Sequence, residues 1–344
     1  KLVHMLSDNS SQAQEQAAAA LSNLASDSAD NRASIVDAGG IEPLLALLQS
    51  NSQRAKENSI SAITQLAFRS TPIQNAISKA GGIPLLAEVL TKASSNVKDL
   101  AQSANLCSLA AKAVSQLAEG NRENQRDIAE AQTIPPLVAM LASPNPEHQA
   151  NAALALSELS KSNPPNQAAV AKTGAIAPLC ALVREGITTE VKEQSAGALW
   201  SLSENSNANK AMVAKLGGIE PLVILLVSGG TDRSHECSVG ALLALANKHP
   251  ENREIVSKLL VARMQSRMAM LQTPGGAERV LIGVAQMCNN NNANQMAMAK
   301  AGGVPPVIMW LSGGFDARAF NADAQREAAA ALLSMVTNNE AVQG

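Results

Sequence analysis

The sequence predicts an all-α fold, a solenoid of stacked three-helix units, and three observations carry that prediction. A Gly-Gly-Ile phrase at residues 39–41 returns at 81–83, is degraded to Gln-Thr-Ile at 132–134, and comes back with small variations at 174–176, 217–219 and 302–304. The residues closing the first five phrases, Ile41, Ile83, Ile134, Ile176 and Ile219, lie 42, 51, 42 and 43 positions apart. The 85 positions from Ile219 to Val304 hold two further units with a degraded junction near Ala262. Finally, the 46% hydrophobic content is mostly Ala and Leu, and Phe68, Trp200, Trp310, Phe315 and Phe320 are the only aromatics, a composition suited to closely packed helices. A unit of this size cannot bury its own apolar face and is stable only against its neighbours.

Each unit opens on a short first helix, as at 34–38. About ten positions before each branched residue stands an Asn followed by a long polar residue: Asn31, Asn124, Asn166, Asn209, Asn252 and Asn294. These are predicted helix N-caps, the side-chain oxygen accepting from an otherwise unpaired backbone N–H. The glycines end the helix, because the positive φ of a C-terminal turn costs glycine little. A second helix follows with Pro43, Pro84, Pro136, Pro178, Pro221 or Pro306 in its first turn, where the missing N–H is harmless. Its apolar residues, such as Ile41, Leu44, Leu45 and Leu48, recur at three and four and so bury one face. The third helix has the same spacing in Ala17, Ala20, Leu21 and Leu24, in Ala152, Ala155, Leu156 and Leu159, and in Ala198, Leu199 and Leu202.

These signals predict a single solenoid domain over 1–344. It comprises a partial repeat 1–29, full repeats 30–70, 71–119, 120–162, 163–206, 207–249, 250–291 and 292–338, and the start of a further unit at 339–344. Neither end carries the polar cap that a solenoid needs, a pattern compatible with a portion of something longer. Two repeats depart from the pattern. Repeat 71–119 has about nine extra residues around 94–109, predicted to lengthen its third helix or the loop before it. At 257–270 Leu259, Leu260 and Val261 replace the glycine pair and Met264, Met268 and Met270 follow, so the first two helices are expected to fuse or bend.

No reactive constellation emerges. His4, His148, His235 and His249 fall in separate repeats, and consecutive His235, Glu236 and Cys237 splay around a helix instead of converging on a metal. There is no phosphate-binding glycine loop, and the recurring glycine pairs are structural punctuation. The expectation is no enzyme, no cofactor and no metal. With 27 basic against 29 acidic residues and few aromatics, the chain lacks what nucleic acid recognition requires. No apolar run approaches the roughly 20 residues that span a bilayer, so direct membrane insertion is not expected. Cys107, Cys180, Cys237 and Cys288, scattered over different repeats, predict free thiols in a reducing compartment, cytoplasmic with a nuclear site also compatible.

Units of this length marked by Asn, Gly-Gly-Ile-x-Pro-Leu and Ala-Leu-x-x-Leu-Ala closely resemble armadillo repeats along the whole chain. The resemblance implies a right-handed superhelix whose third helices line a concave groove that accepts an extended segment of a partner. The residue between the two core leucines of the third helix would face that groove: Asn23, Gln65, Gln116, Glu158 and Ser201, then Ala244, Gly283 and Ser334. An amide there can donate to and accept from a peptide backbone at once. One turn earlier lie Ser61, Lys112 and Gly197, and two turns earlier Glu15, Glu57, Glu193 and Glu236, an acidic row that favours a basic partner segment. Trp200 sits beside the groove position and is expected mainly to pack between repeats.

The implied function is a non-enzymatic scaffold for protein partners, bound through extended or helical segments, similar to adaptor-type armadillo proteins such as the fungal vacuolar anchor and the plant and protist armadillo-only proteins. Alternatives are the targeting part of a larger ubiquitin ligase of the U-box type or of a kinase, or a structural subunit of an assembly such as the ciliary axoneme. Importin-α pairs each groove Asn with a Trp four residues earlier. Those positions here are Ala19, Ser61, Lys112, Leu154 and Gly197, which argues against nuclear import.

Overall fold

The computed structural model describes residues 1–95, 100–265, 276–312 and 322–343; among these there are 23 helices and no strand. The chain divides into two compact units, Lys1–Ala175 and Ile176–Gly344.

In the first unit α1 (Leu2–Met5) and α2 (Ser11–Asp27) form the partial repeat. Two complete triplets follow: α3 (Ala29–Asp37), α4 (Ile41–Leu47) and α5 (Gln53–Ala67), then α6 (Thr71–Lys79), α7 (Gly82–Ser95) and α8 (Leu100–Ala118). The unit ends with α9 (Arg122–Glu130), α10 (Ile134–Met140), α11 (Pro146–Ser160) and α12 (Pro164–Lys172). Its third helices stack in order, α2 on α5, α5 on α8 and α8 on α11. Ile60, Ile63, Leu66, Leu117, Leu156 and Leu159 along this stack are buried, as the three-and-four spacing requires. Leu24 departs from that register: it is 42% exposed where its counterparts in later repeats are buried.

The second unit contains α13 (Ile176–Glu185), α14 (Thr189–Ser203), α15 (Asn207–Lys215), α16 (Ile219–Ser228) and α17 (Asp232–Ala246). They are followed by α18 (Pro250–Gln265), α19 (Gly276–Cys288), α20 (Asn292–Lys300), α21 (Val304–Leu311), α22 (Ala322–Val336) and α23 (Glu340–Gln343). Here α14 packs on α17 and α19 on α22. Trp200 on α14 lies against Gly240 on α17: a Cβ at Gly240 would fall 2.4 Å from the indole Cε3. Trp200 thus packs between repeats, in a slot that only glycine leaves open.

The glycine turns form as expected. Gly39 has φ +73°, its N–H donates to Val36 O at 2.9 Å and that of Gly40 to Ile35 O at 3.0 Å, a Schellman-type ending. In the degraded junction Gln132 adopts φ +59°, and the Thr133 hydroxyl donates to Ile128 O at 2.8 Å, supplying the bond that closes the turn.

The asparagines do not cap the first helices. Those caps lie three residues earlier, where Ser28, Asn121, Asn163, Ser206 and Asn291 accept the N–H of Asn31, Asn124, Asn166, Asn209 and Asn294. Each of these asparagines turns its amide N–H back to a carbonyl seven residues upstream, at the end of the preceding third helix. Asn31 donates to Leu24 O at 3.0 Å, Asn124 to Leu117 O at 2.9 Å, Asn166 to Leu159 O at 2.9 Å, Asn209 to Leu202 O at 2.8 Å and Asn294 to Met287 O at 2.7 Å. The last carbonyls of a helix have no partner within it, and these amides supply one.

The irregular repeats are resolved in part. The first and second helices of repeat 250–291 fuse into the 16 residues of α18, with Val261 and Met264 buried, because no glycine interrupts them. In repeat 71–119 both neighbouring helices are long: α7 has 14 residues, twice α4, and α8 has 19 where α5 and α11 have 15. The extra residues therefore extend the second helix as well as the third. Met268, Met270, Phe315 and Phe320 lie outside the described residues.

Candidate functional site

The positions between the core leucines recur once per third helix, and stacking brings them into a row within each unit. In the first unit Asn23 is exposed and Gln65, Gln116 and Glu158 are half-buried. The Oε1 of Gln116 is shut off from solvent and accepts no hydrogen bond among the described residues. In the second unit the side chains shrink and the row closes: Ser201 is 6% exposed, Ala244 half-buried and Gly283 buried, with Leu226 Cδ2 3.0 Å from where its Cβ would stand. Ser334 is half-buried.

The backbone beneath this row is pinned by a glutamine ladder that the sequence reading missed. Gln74 donates its amide to Gln116 O at 2.8 Å, Gln125 to Glu158 O at 2.8 Å and Gln295 to Ser334 O at 2.8 Å, each reaching from a first helix to the third helix of the same repeat. Asn163 then donates back to Gln125 Oε1 at 3.0 Å, and Asn339 to Gln295 Oε1 at 2.9 Å. The signal was the long polar residue following each Asn at the repeat period. At Lys210 the ladder uses an ammonium, donating to Asn247 O at 2.5 Å, and burial pushes its pKa down.

The acidic row is partly spent on the fold. Glu15 accepts from the hydroxyl of Ser52, the N-cap of α5, at 2.5 Å. Glu193 is 8% exposed and accepts from Ser234 Oγ at 2.7 Å and from the hydroxyl of Thr231, the N-cap of α17. Both carboxylates thus tie one third helix to the start of the next, at a helix N-terminus that favours negative charge. Glu57 is half-buried and accepts from Gln53 Nε2 at 2.8 Å, and Glu236 and Lys112 are exposed. Glu158 lies 3.8 Å from Lys161 Nζ.

Among the described residues no three His, Cys, Asp or Glu side chains gather where a metal ion could be held. All four cysteines are free and buried, and desolvation pushes Cys107, Cys180 and Cys237 to a pKa of about 11 and Cys288 to about 12. Their thiolates are suppressed at neutral pH, so they are inert packing groups. His235 is pushed down by burial. No single helix among the described residues is long and apolar enough to cross a membrane.

Stacked three-helix repeats whose third helices carry a polar row define a helical-repeat protein of the armadillo class. The chain belongs to the armadillo-repeat family: the model described as the plant U-box protein ARM repeat region matches residues 48–341, and that of the armadillo/β-catenin-like repeat matches 1–26. No curated protein matches the sequence. Among solved structures, an engineered protein is 27% identical with a TM-score of 0.65, covering 72% of this chain and 96% of its own. A designed armadillo repeat protein in complex with the peptide (KR)4 is 22% identical, TM-score 0.62, over 71% of this chain and 98% of its own. A computationally designed armadillo repeat protein for modular peptide recognition is 23% identical, TM-score 0.61, with the same coverage. The last two share the fold.

Proposed function

We propose that the chain is a non-catalytic scaffold that binds an extended, basic segment of a partner protein along its third helices, chiefly through Asn23, Gln65 and Gln116 in the first unit. The observation that carries this is the row of amides on successive third helices, Asn23 exposed and Gln65 and Gln116 half-buried, side chains that can donate to and accept from a peptide backbone at once. Glu57 and Glu158 supply the charge that favours Lys and Arg in the ligand, while Glu15 holds the helices that present it; in the second unit Glu236 is exposed and Glu193 ties α14 to α17. The peptide (KR)4 held by a designed armadillo protein is the kind of ligand envisaged. Buried free thiols favour a reducing compartment such as the cytoplasm.

The test is fluorescence anisotropy with a labelled Lys-Arg repeat peptide. Replacing Asn23, Gln65 and Gln116 together by Ala removes three backbone-reading amides at about 1 kcal/mol each, or on the order of a hundredfold in Kd. The helical circular dichroism should be unchanged. An unaltered Kd rejects the groove. A second reading, favoured by the match to the plant U-box repeat region, makes this groove the substrate-recognition part of a larger ubiquitin ligase. It requires the bound segment to belong to a protein that is ubiquitinated when the full-length chain is supplied.

A further inference from the structure

The first helices of the second unit carry a different surface, independent of the third-helix row. α18 and α20 lie side by side, and the cleft between them has a volume of about 460 Å³. Its apolar lining includes the half-buried Met296 and Ala297 and the exposed Ala293. Its rim is cationic: Arg253 and Lys258 from α18 and Lys300 from α20, against the single carboxylate of Glu254, which Lys258 Nζ holds at 2.5 Å. Lys300 is exposed, and Lys258 chiefly, with a smaller contribution from Lys300, holds the Glu254 carboxyl below its usual pKa.

The cleft belongs to a longer row. Lys215, Lys258 and Lys300 occupy the same position in three successive first helices, nine residues after Ser206, His249 and Asn291, and all three are exposed. Three residues before each lysine, on the same helix face, stand Met212, 45% exposed, Ile255, 41% exposed, and Ala297. In the first unit the row is broken by charge reversal, since Asp37 and Glu130 stand where Lys79 and Lys172 keep the lysine. A lysine at a helix C-terminus is favoured by the macrodipole alone. That does not account for large apolar side chains left in water beside it, and such a pairing is what an amphipathic ligand would cover.

We propose that this row of first helices is a docking surface for an acidic, extended segment of a partner protein, anchored in the cleft between α18 and α20. Charge complementarity selects the ligand: Lys215 and Lys300 stand on helices without a carboxylate, and on α18 Arg253 and Lys258 offset Glu251 and Glu254, so an acidic segment is favoured here over the basic one suited to the third helices. Packed helices lie about 8–10 Å apart, and a chain extended as polyproline II advances about 3.1 Å per residue with about three residues per turn, so a carboxylate at every third position faces successive lysines. An apolar residue between carboxylates reaches the Met212, Ile255 and Met296 side chains.

The experiment uses a labelled synthetic peptide repeating Glu-Leu-Ser, and the same peptide with Gln for Glu, in anisotropy titrations against the whole chain. The Glu peptide should bind, weaken with added salt, and lose about tenfold in affinity when Lys215, Lys258 and Lys300 are all changed to Gln, each exposed pair contributing a few-fold. Met296→Asp, which puts a carboxylate in the apolar lining, should weaken it as well. Binding of the Lys-Arg peptide should persist in these variants, and the Asn23, Gln65 and Gln116 triple variant should keep the Glu peptide, so the two surfaces fail separately. Absence of binding, equal binding of the Gln peptide, or an unchanged Kd in the lysine variant overturns the proposal. So does capture by phosphatidylserine vesicles in place of the peptide.

Discussion

Asn209 offers a decisive test of how the repeats are fastened, because its two possible roles predict opposite effects of one substitution. If Asn209 capped α15, Asp would serve as well or better: it accepts the same bond, and a negative charge in the first turn gains about 0.3–1 kcal/mol from the helix dipole. In the structure the working atom is Nδ2, which donates to Leu202 O at 2.8 Å while the residue is 5% exposed. Asp cannot donate when ionised. Asn209→Asp then forfeits a hydrogen bond worth about 1 kcal/mol and sets a buried carboxylate against a carbonyl at the negative end of α14, for a net loss of about 2–4 kcal/mol at pH 7. Asn209→Ala leaves only the Leu202 carbonyl unpaired and should cost about 1–3 kcal/mol.

The assay is urea unfolding followed by circular dichroism, with Ser206→Asp, a change at the true N-cap, as the control expected to stay within a few tenths of a kcal/mol. The expected order at pH 7 is wild type, then Ala, then Asp. The new carboxyl has a folded pKa raised above its unfolded value, so its penalty is present above the unfolded pKa and fades as the pH falls and the protonated acid regains a donor. An Asp variant more stable than the Ala variant at pH 7 would refute the clamp and restore the cap.

Two further outcomes follow from the same packing. Gly240→Ala, which in an unencumbered helix would stabilise by about 0.5–1 kcal/mol, should instead destabilise by about 1–3 kcal/mol because the new Cβ meets the Trp200 ring; a lowered melting temperature and shifted tryptophan emission report it, and an unchanged or raised melting temperature contradicts the packing. The four thiols should resist a thiol reagent at pH 8 in the native chain and react fully in urea. Their folded pKa values of about 11 and about 12 lie above the unfolded value, so the stability they contribute is complete below about pH 9 and is lost as the pH rises through 11 to 12. A native chain whose four thiols react at pH 8 as fast as in urea would contradict their burial.

The repeat, the glycine turn and the Ala-Leu core were legible because each is a local rule repeated at the period of the chain. Gly39 needs its positive φ whatever surrounds it, and Leu156 is apolar on a face that only a neighbouring helix can cover. The asparagines were misread for a definable reason. Asn is a good N-cap through its oxygen and a good C-terminal clamp through its nitrogen, and residue type does not say which end works. The spacing does: Asn31, Asn124, Asn166, Asn209 and Asn294 each stand seven residues after a Leu or Met near the end of the preceding third helix, while Ser or Asn stands three residues before them where a cap belongs.

The site was less legible because exposure is a tertiary property. Glu57 and Glu193 occupy equivalent positions, yet Glu193 is buried since Thr231 and Ser234 converge on it, and no feature near Glu193 in sequence announces hydroxyls 38 and 41 residues away. The same holds along the leucine-flanked row, where amides in the first unit give way to Ser201, Ala244 and Gly283 in the second. Small residues there admit Leu226 beside Gly283 and leave little for a ligand to grip. The cationic first helices show the opposite distribution, uninterrupted in the second unit and broken by Asp37 and Glu130 in the first. The two proposed surfaces thus lie on different helices and differ in the charge they favour, so substitutions on one should leave binding at the other intact.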